Sequence, residues 1–405
     1  MNYKQVQTRL NILDFLIVGG LTGGSYLGMV LRAAGLSSMA LGTVLSINSL
    51  MALLTPPLFG MIADKIGSPR KTMCITLALT CLVWLGIPLT LNVKIATFPV
   101  VVVFVICGAW VRSPVNSLTD SYLMQVQTAD SRIIYSRARK YGSLGYAIIA
   151  LLSTPLMAAL GVGVMFYVPL LILGPVIVIT RQVGDVKPKD APDSGQGAKH
   201  KLQIGRAFKS YYLVCHIICL MVVWMPFMLH GTLVPFLLEA IHADSSLQGI
   251  AFGIRAFMEF PSFMLVPFLL RKYNPQKLLP LCFSYYAVEC LVLAMTQQVW
   301  ALYAIMVCSG TVFAMIIGVN INYVHSLAPR GLESTVVTVN AAAQSLAGVL
   351  GNLLAGALVD SVGIRMTYLI IAAMVVLASL MMYFLAGHGR KKGIPLNAET
   401  AIQCP

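Results

Sequence analysis

The chain has 405 residues, 58% of them hydrophobic and only 10% charged, with a formal net charge of +14. A mean hydropathy of +0.83 excludes a set of soluble domains. Apolar runs of about twenty residues, each able to cross a bilayer, exclude the short alternating segments of a β-barrel. The basic residues lie in short loops between these runs, which excludes nucleic acid as a partner and makes the lipid bilayer the expected surroundings.

Twelve spans are predicted in chain order, at 11–33, 39–63, 71–91, 97–125, 140–162, 164–181, 209–239, 246–271, 275–297, 300–327, 333–360 and 365–387. Met1–Leu10 lacks the apolar core and cleavage site of a signal peptide, so the first span is expected to stay. Of the 28 Lys and Arg, 23 fall on the face that holds both termini. The opposite face has Arg32, Lys94 and Arg365, while Arg112 and Arg255 lie inside spans. The positive-inside rule therefore predicts a multi-pass protein of the plasma (inner) membrane with both termini cytoplasmic. The stretch 182–208 is polar and rich in Pro and Gly, and it reads as a cytoplasmic linker. The expected organisation is an N-terminal six-helix half (1–181), the linker (182–208), a C-terminal six-helix half (209–388) and a cytoplasmic tail (389–405). An all-α membrane protein of two six-helix halves is the plan of alternating-access transporters.

Span 1 carries Gly19, Gly20, Gly23, Gly24 and Gly28; span 5 carries Gly142 and Gly145; span 11 carries Gly348, Gly351 and Gly356. Such small residues let helices approach closely. The nine cysteines show no metal-ligand spacing and read as small apolar residues. There is no Walker loop, zinc-spaced His cluster or nucleophile elbow. The expectation is a protein that is not an enzyme, holds no metal or cofactor, and draws on a proton gradient.

The loop after span 2 places Gly60, Asp64, Lys65, Gly67 and Arg70 in one short turn-forming stretch, and 270–277 after span 8 is a degenerate echo of it. This loop resembles the signature loop of the major facilitator superfamily, with one extra residue at Ser68-Pro69. The resemblance implies a conformational gate, in which Asp64 holds the cytoplasmic helix ends together in the outward-open state. A narrower resemblance lies in Asp120 followed by Tyr135-Ser-Arg137-Ala-Arg139-Lys-Tyr-Gly142 and in the span 8 run from Gly249 to Pro261. Both are similar to the branch of the lactose permease and the nucleoside–proton and phenylpropionate-type symporters. The chain departs from that branch at Glu289, where relatives often carry Arg, and at Ser309-Gly310-Thr311, where several carry His.

Charges inside spans are functional candidates, because exposure to lipid is costly. Arg112, Asn116 and Asp120 are spaced by four and are expected on roughly one helix face. Arg139 opens span 5 within reach of Asp120. Arg112 reads as a solute-facing cation, as the partner of Asp14, or as a site for a carboxylate or phosphate. His230 serves as a proton relay or solute donor, or as a satisfied interhelical hydrogen bond. With Asn340 and Gln344 from among the membrane amides, the expected solute contacts are Asp14, Arg112, Asn116, Asp120, Arg139, His230, Asn340 and Gln344. Glu259 and Glu289, on spans read as adjacent, are expected to carry the coupling proton, with Arg255 tuning them. The expected function is secondary transport of a small polar solute (a sugar, oligosaccharide or nucleoside) by a monomer, as proton symport. Proton-driven efflux of sugars or drugs, organic-anion uptake and a non-transporting receptor are the alternatives.

Overall fold

The structure, a computed structural model, describes residues 3–130, 132–184, 210–327 and 333–392. The described helices are α1 (Tyr3–Ala33), α2 (Ser38–Ile66), α3 (Pro69–Thr90), α4 (Val101–Ala129), α5 (Tyr135–Leu160) and α6 (Val162–Val183). A bent pair, Tyr211–Phe227 and His230–Ala240, forms α7, followed by α8 (Gln248–Lys272), α9 (Pro275–Met295) and α10 (Val299–Leu327). The last helix, Glu333–Lys391, runs for 59 residues but breaks at Gly363, where φ is +78° and ψ 167°. At about 1.5 Å per residue an unbroken helix of that length would be about three times as long as the hydrocarbon core is thick. Its two arms, 333–362 and 364–391, are α11 and α12. Among the described residues ten helices are long and apolar enough to cross a bilayer, or eleven with the bent pair. Division at Gly363 makes the count consistent with the predicted twelve. The predicted linker and tail lie largely outside the described residues.

Local chemistry explains several ends. Ser37 caps α2 by accepting from the Ala40 N–H at 3.3 Å, and Gly67 closes it with φ +68°, a conformation that disfavours side chains. Ser68 caps α3 and Pro69 occupies its first turn. Asp244 accepts from the Ser246 N–H at 2.7 Å before α8, which holds its carboxyl below the usual range. Several boundaries differ from the prediction: α1 begins at Tyr3 rather than at 11, α4 ends at Ala129 rather than at 125, and two starts have a clear local cause. Lys94–Ile95 pairs antiparallel with Phe98–Pro99 in a small hairpin, so α4 begins at Val101 rather than at 97. The basic run Arg137–Lys140 continues the helix instead of interrupting it, so α5 begins at Tyr135 rather than at 140.

In the first half α1 packs on α5 and α6, and α4 packs on α2 and α3. In the second half α8 packs on α10, and α9 packs on α10 and on the last helix. The expectation that spans 8 and 9 are neighbours is corrected here, because α10 lies between them and α8 and α9 share little contact. The halves meet along two seams, α2 with α11 and α5 with α8.

Both seams lie toward the far face, opposite the chain ends. In the first, a side chain at Gly42 would meet the Asn352 carbonyl at 2.5 Å, and one at Gly356 would meet the Ser38 carbonyl at 2.5 Å. The helices therefore touch backbone to backbone. The Ser46 hydroxyl donates to the Val349 carbonyl at 2.8 Å, and the Asp360 carboxylate accepts from the Met39 N–H at 2.7 Å. In the second seam, the Thr154 hydroxyl donates to the Ser246 carbonyl at 2.8 Å and accepts from the Ile250 N–H at 2.9 Å. Arg32 and Glu239 add an ion pair at 3.0 Å, with side chains 40% and 58% exposed. So exposed a pair contributes at most about 1 kcal/mol. The closure therefore rests on the seams.

The Gly356→Leu exchange is expected to force α2 from α11 and open the far end. The check is labelling of a cysteine placed at Ser49, in a background without native cysteines, by a membrane-impermeant maleimide added from the far side. Labelling should rise several-fold, and unchanged labelling would show that the seam tolerates the added volume.

Candidate functional site

Between the halves lies a cavity of about 1160 Å³, lined from both of them. The N-terminal half supplies Ser25, Asn48, Ser49, Tyr135, Arg139, Lys140 and Tyr146, and the C-terminal half supplies Thr232, Arg255, Glu259 and Asn352. Phe227, Phe252, Phe260, Phe263 and Phe313 add aromatic faces. The seams close its far end. Arg139 and Lys140, at the near end of α5, are exposed.

Arg139 organises the N-terminal wall. Its guanidinium lies 3.6 Å from Asp14 Oδ2 and 3.9 Å from Asp120 Oδ1. The Tyr135 hydroxyl donates to Asp120 Oδ1 at 2.9 Å. Asp14 is only 1% exposed, and Gly142, one turn after Arg139, makes room for it, since a side chain there would collide with its carboxylate. Gly145 similarly admits the Phe15 backbone. The predicted Asp120–Arg139 pair is thus accompanied by a second carboxylate from α1. The alternative pairing of Asp14 with Arg112 is corrected, because Arg139 holds Asp14 instead.

Arg112 stands one layer behind the wall. It packs on Gly24, where any side chain would collide with its guanidinium, and it lies 5.7 Å from the Trp84 ring centroid. Asn116 is exposed and does not line the cavity. Each step of four residues turns an α-helix by about 40° past one full turn, so Arg112 and Asp120 diverge by about 80°. The single polar face expected for them is therefore spread around α4.

On the opposite wall, Arg255 Nε lies 4.0 Å from Glu259 Oε1, and its guanidinium sits 4.5 Å from the Phe313 ring centroid. Glu289 is 5% exposed, beside Ser309 inside the C-terminal half, and does not line the cavity. Arg255 acts electrostatically on both Glu259 and Glu289. The carboxyl–carboxyl meeting expected from adjacent spans is replaced by a shared arginine.

Among the amides, Asn48 and Asn352 line the cavity, whereas Asn340 and Gln344 do not. Asn340 is buried beside His216, whose Nε2 bonds Asn320 Oδ1 at 2.9 Å and whose ring meets Tyr323 edge-on at 5.0 Å. Sequence reasoning missed this cluster and singled out His230, whose side chain lies outside the described residues. The available signal was a histidine inside the apolar run 211–227, with several amides elsewhere in the half needing partners. At the gate loop Gly60 is partly buried, Asp64, Lys65 and Gly67 are exposed at the near end of α2, and Arg70 donates to the Thr180 carbonyl at 3.3 Å.

Residues 8–370 match the model of the MFS_1 like family. The chain is 23% identical over 361 residues to the maltose permease of Geobacillus stearothermophilus, covering 89% of each chain. It is 21% identical over 312 residues to the uncharacterized transporter YwbF of Bacillus subtilis (strain 168), covering 76% of this chain and 74% of the other. Its fold is similar to that of the nucleoside transporter NupG, with a TM-score of 0.80, 15% identity and coverage of 95% and 99% of the two chains. The D-xylose-proton symporter gives a TM-score of 0.70 at 17% identity, covering 94% and 98%.

The Arg139→Ala exchange leaves two carboxylates without their cation and is expected to destabilise the fold by about 1–3 kcal/mol, the lower end reflecting Arg139's exposure. Adding Asp14→Asn removes the buried charge and should restore part of that loss, as read from thermal unfolding midpoints. A double variant less stable than Arg139→Ala alone would contradict this charge balance.

Proposed function

The chain belongs to the MFS_1 like family of the major facilitator superfamily, membrane transporters rather than enzymes, and on that premise we propose that it carries a hydroxyl-rich solute, a sugar, oligosaccharide or nucleoside, in symport with protons. The observation that carries this reading is the cavity between the halves, where unsatisfied polar atoms stand among aromatic rings. Asn48 Oδ1 and Arg255 Nε are buried with no hydrogen-bond partner, and both residues line the cavity. Asn48 bonds a solute hydroxyl without first giving up a protein partner, and Arg255 does so once Glu259 releases it. Tyr146 and the exposed Phe260 and Phe263 line the same space and supply apolar surface for a ring. The maltose permease, the nucleoside transporter and the D-xylose symporter among the similar proteins support the same solute class.

Coupling follows from the pair on α8. A proton on Glu259 removes its hold on Arg255, and the guanidinium turns to the solute. Loss of the proton restores the pair and weakens solute binding. Glu289 shares the same arginine and is the second proton candidate. The protein acts as a monomer without a cofactor, in the plasma membrane, with both termini cytoplasmic, so the cavity here is open to the cytoplasm. In that orientation the exposed Asp64 loop is released, in keeping with a gate that engages when the near end closes.

In proteoliposomes, Glu259→Gln is expected to abolish accumulation driven by an inward proton gradient and to retain solute counterflow within about an order of magnitude. Glu289→Gln is measured in parallel. Uphill uptake that persists in both variants would overturn the coupling assignment.

A further inference from the structure

Among the described residues the ion pairs around the cavity leave Arg112, in the middle of α4, unanswered, as they do the exposed Lys140 at the near end of α5. Arg139 faces Asp14 and Asp120, and Arg255 faces Glu259. Arg112 has no carboxylate within 4.0 Å and makes no hydrogen bond among the described residues, and its Nε is buried without an acceptor. A guanidinium stays charged in proteins. A cation over an indole gains about 2 kcal/mol at best, less than the several kcal/mol lost when an ion leaves water. Arg112 is partly exposed as a residue, yet the Trp84 face does not replace the acceptor that its buried Nε lacks.

Position shows what supplies the missing charge. The guanidinium packs directly on Gly24, which has no side chain to screen it, and Gly24, Ser25 and Tyr146 all line the cavity. Tyr146 accepts from or donates to the Ser25 hydroxyl at 2.9 Å and interacts electrostatically with Arg112, Arg255 and Glu259. It thus links Arg112 electrostatically to the Arg255–Glu259 pair of the other half. A hydroxyl or carbonyl would solvate Arg112 but not neutralise it. An oxyanion does both, and the planar fork binds a carboxylate or phosphate through two parallel bonds.

We propose that Arg112 forms an oxyanion subsite at the edge of the cavity, where its guanidinium packs on Gly24. This rests on the solute reading above. The oxyanion is either an acidic group of the solute, whose ring then lies against Tyr146, or a free ion that binds beside it.

The test uses the purified full chain and ligand-dependent thermal stabilisation, with matched pairs: glucuronate against glucose, lactobionate against lactose, and a nucleoside monophosphate against its nucleoside. Inorganic phosphate alone is the fourth arm. An acidic solute predicts that at least one acid binds about tenfold more tightly than its neutral parent. Arg112→Gln should bring that ratio to about one, and Arg112→Lys, which keeps the charge but not the fork, should fall between. Stabilisation by phosphate alone that disappears in Arg112→Gln also supports the subsite and assigns it to a free ion. Gly24→Ala, whose methyl displaces the Arg112 guanidinium, should erase either effect even if Arg112→Gln fails to fold. Neutral members that bind while acids and phosphate give no advantage overturn the subsite and leave the solute reading intact, as does an acid preference that survives Arg112→Gln. Absence of stabilisation by every compound overturns both.

Discussion

The backbone-to-backbone contact of α2 with α11 is the constraint on which the remaining geometry depends. Apolar helices gain little from burying apolar surface against one another in lipid, so the halves adhere where chains come close enough for dispersion and direct bonds. Gly42 and Gly356 supply that approach, and Ser46 and Asp360 bond across it. Thr154 does the same where α5 crosses α8. Because these contacts gather toward one end, the helices diverge toward the other, and the space between them is the cavity. The surface pair of Arg32 and Glu239 is a small addition.

Within that frame the charges are distributed unequally. The N-terminal wall sets one arginine against two aspartates and keeps a second arginine behind a glycine. The opposite wall pairs one arginine with Glu259, and the same arginine acts electrostatically on Glu289 behind it, on a helix that scarcely touches theirs. Each half therefore holds its ionised groups in a local balance of its own.

The helical architecture was legible in the sequence, because runs of apolar residues and the placement of Lys and Arg answer to the bilayer itself. The pairing of Asp120 with Arg139 was legible for a similar reason, since a short loop leaves few alternatives. Asp14 as a third member was not, because nothing in one helix states which neighbour it crosses. The meeting of Glu259 with Glu289 failed on the same point: consecutive spans in a large bundle need not touch, and α10 separates theirs. Asn48 and Asn352 were indistinguishable from Asn340 and Gln344, as every amide in an apolar run has the same local signature. The aromatic lining was hidden by a background already rich in Phe and Tyr. The glycines of α11 were visible as a stripe, but Gly42 alone on α2 gave no sign that it completes the crossing.

One feature of α1 bears on how such a molecule changes shape. Its middle, Leu21–Tyr26, is wound as a tighter 3-10 turn, and Gly24 and Ser25 of that turn face the cavity. Below it, Asp14 is clamped to Arg139; above it, Arg32 reaches across to the other half. A 3-10 stretch inside a longer helix has weaker internal bonds and often serves as a hinge. It makes α1 two levers on a common pivot rather than one rod. The outer lever meets the other half through Arg32 while the inner one holds its carboxylate on Arg139, and the pivot between them lines the cavity.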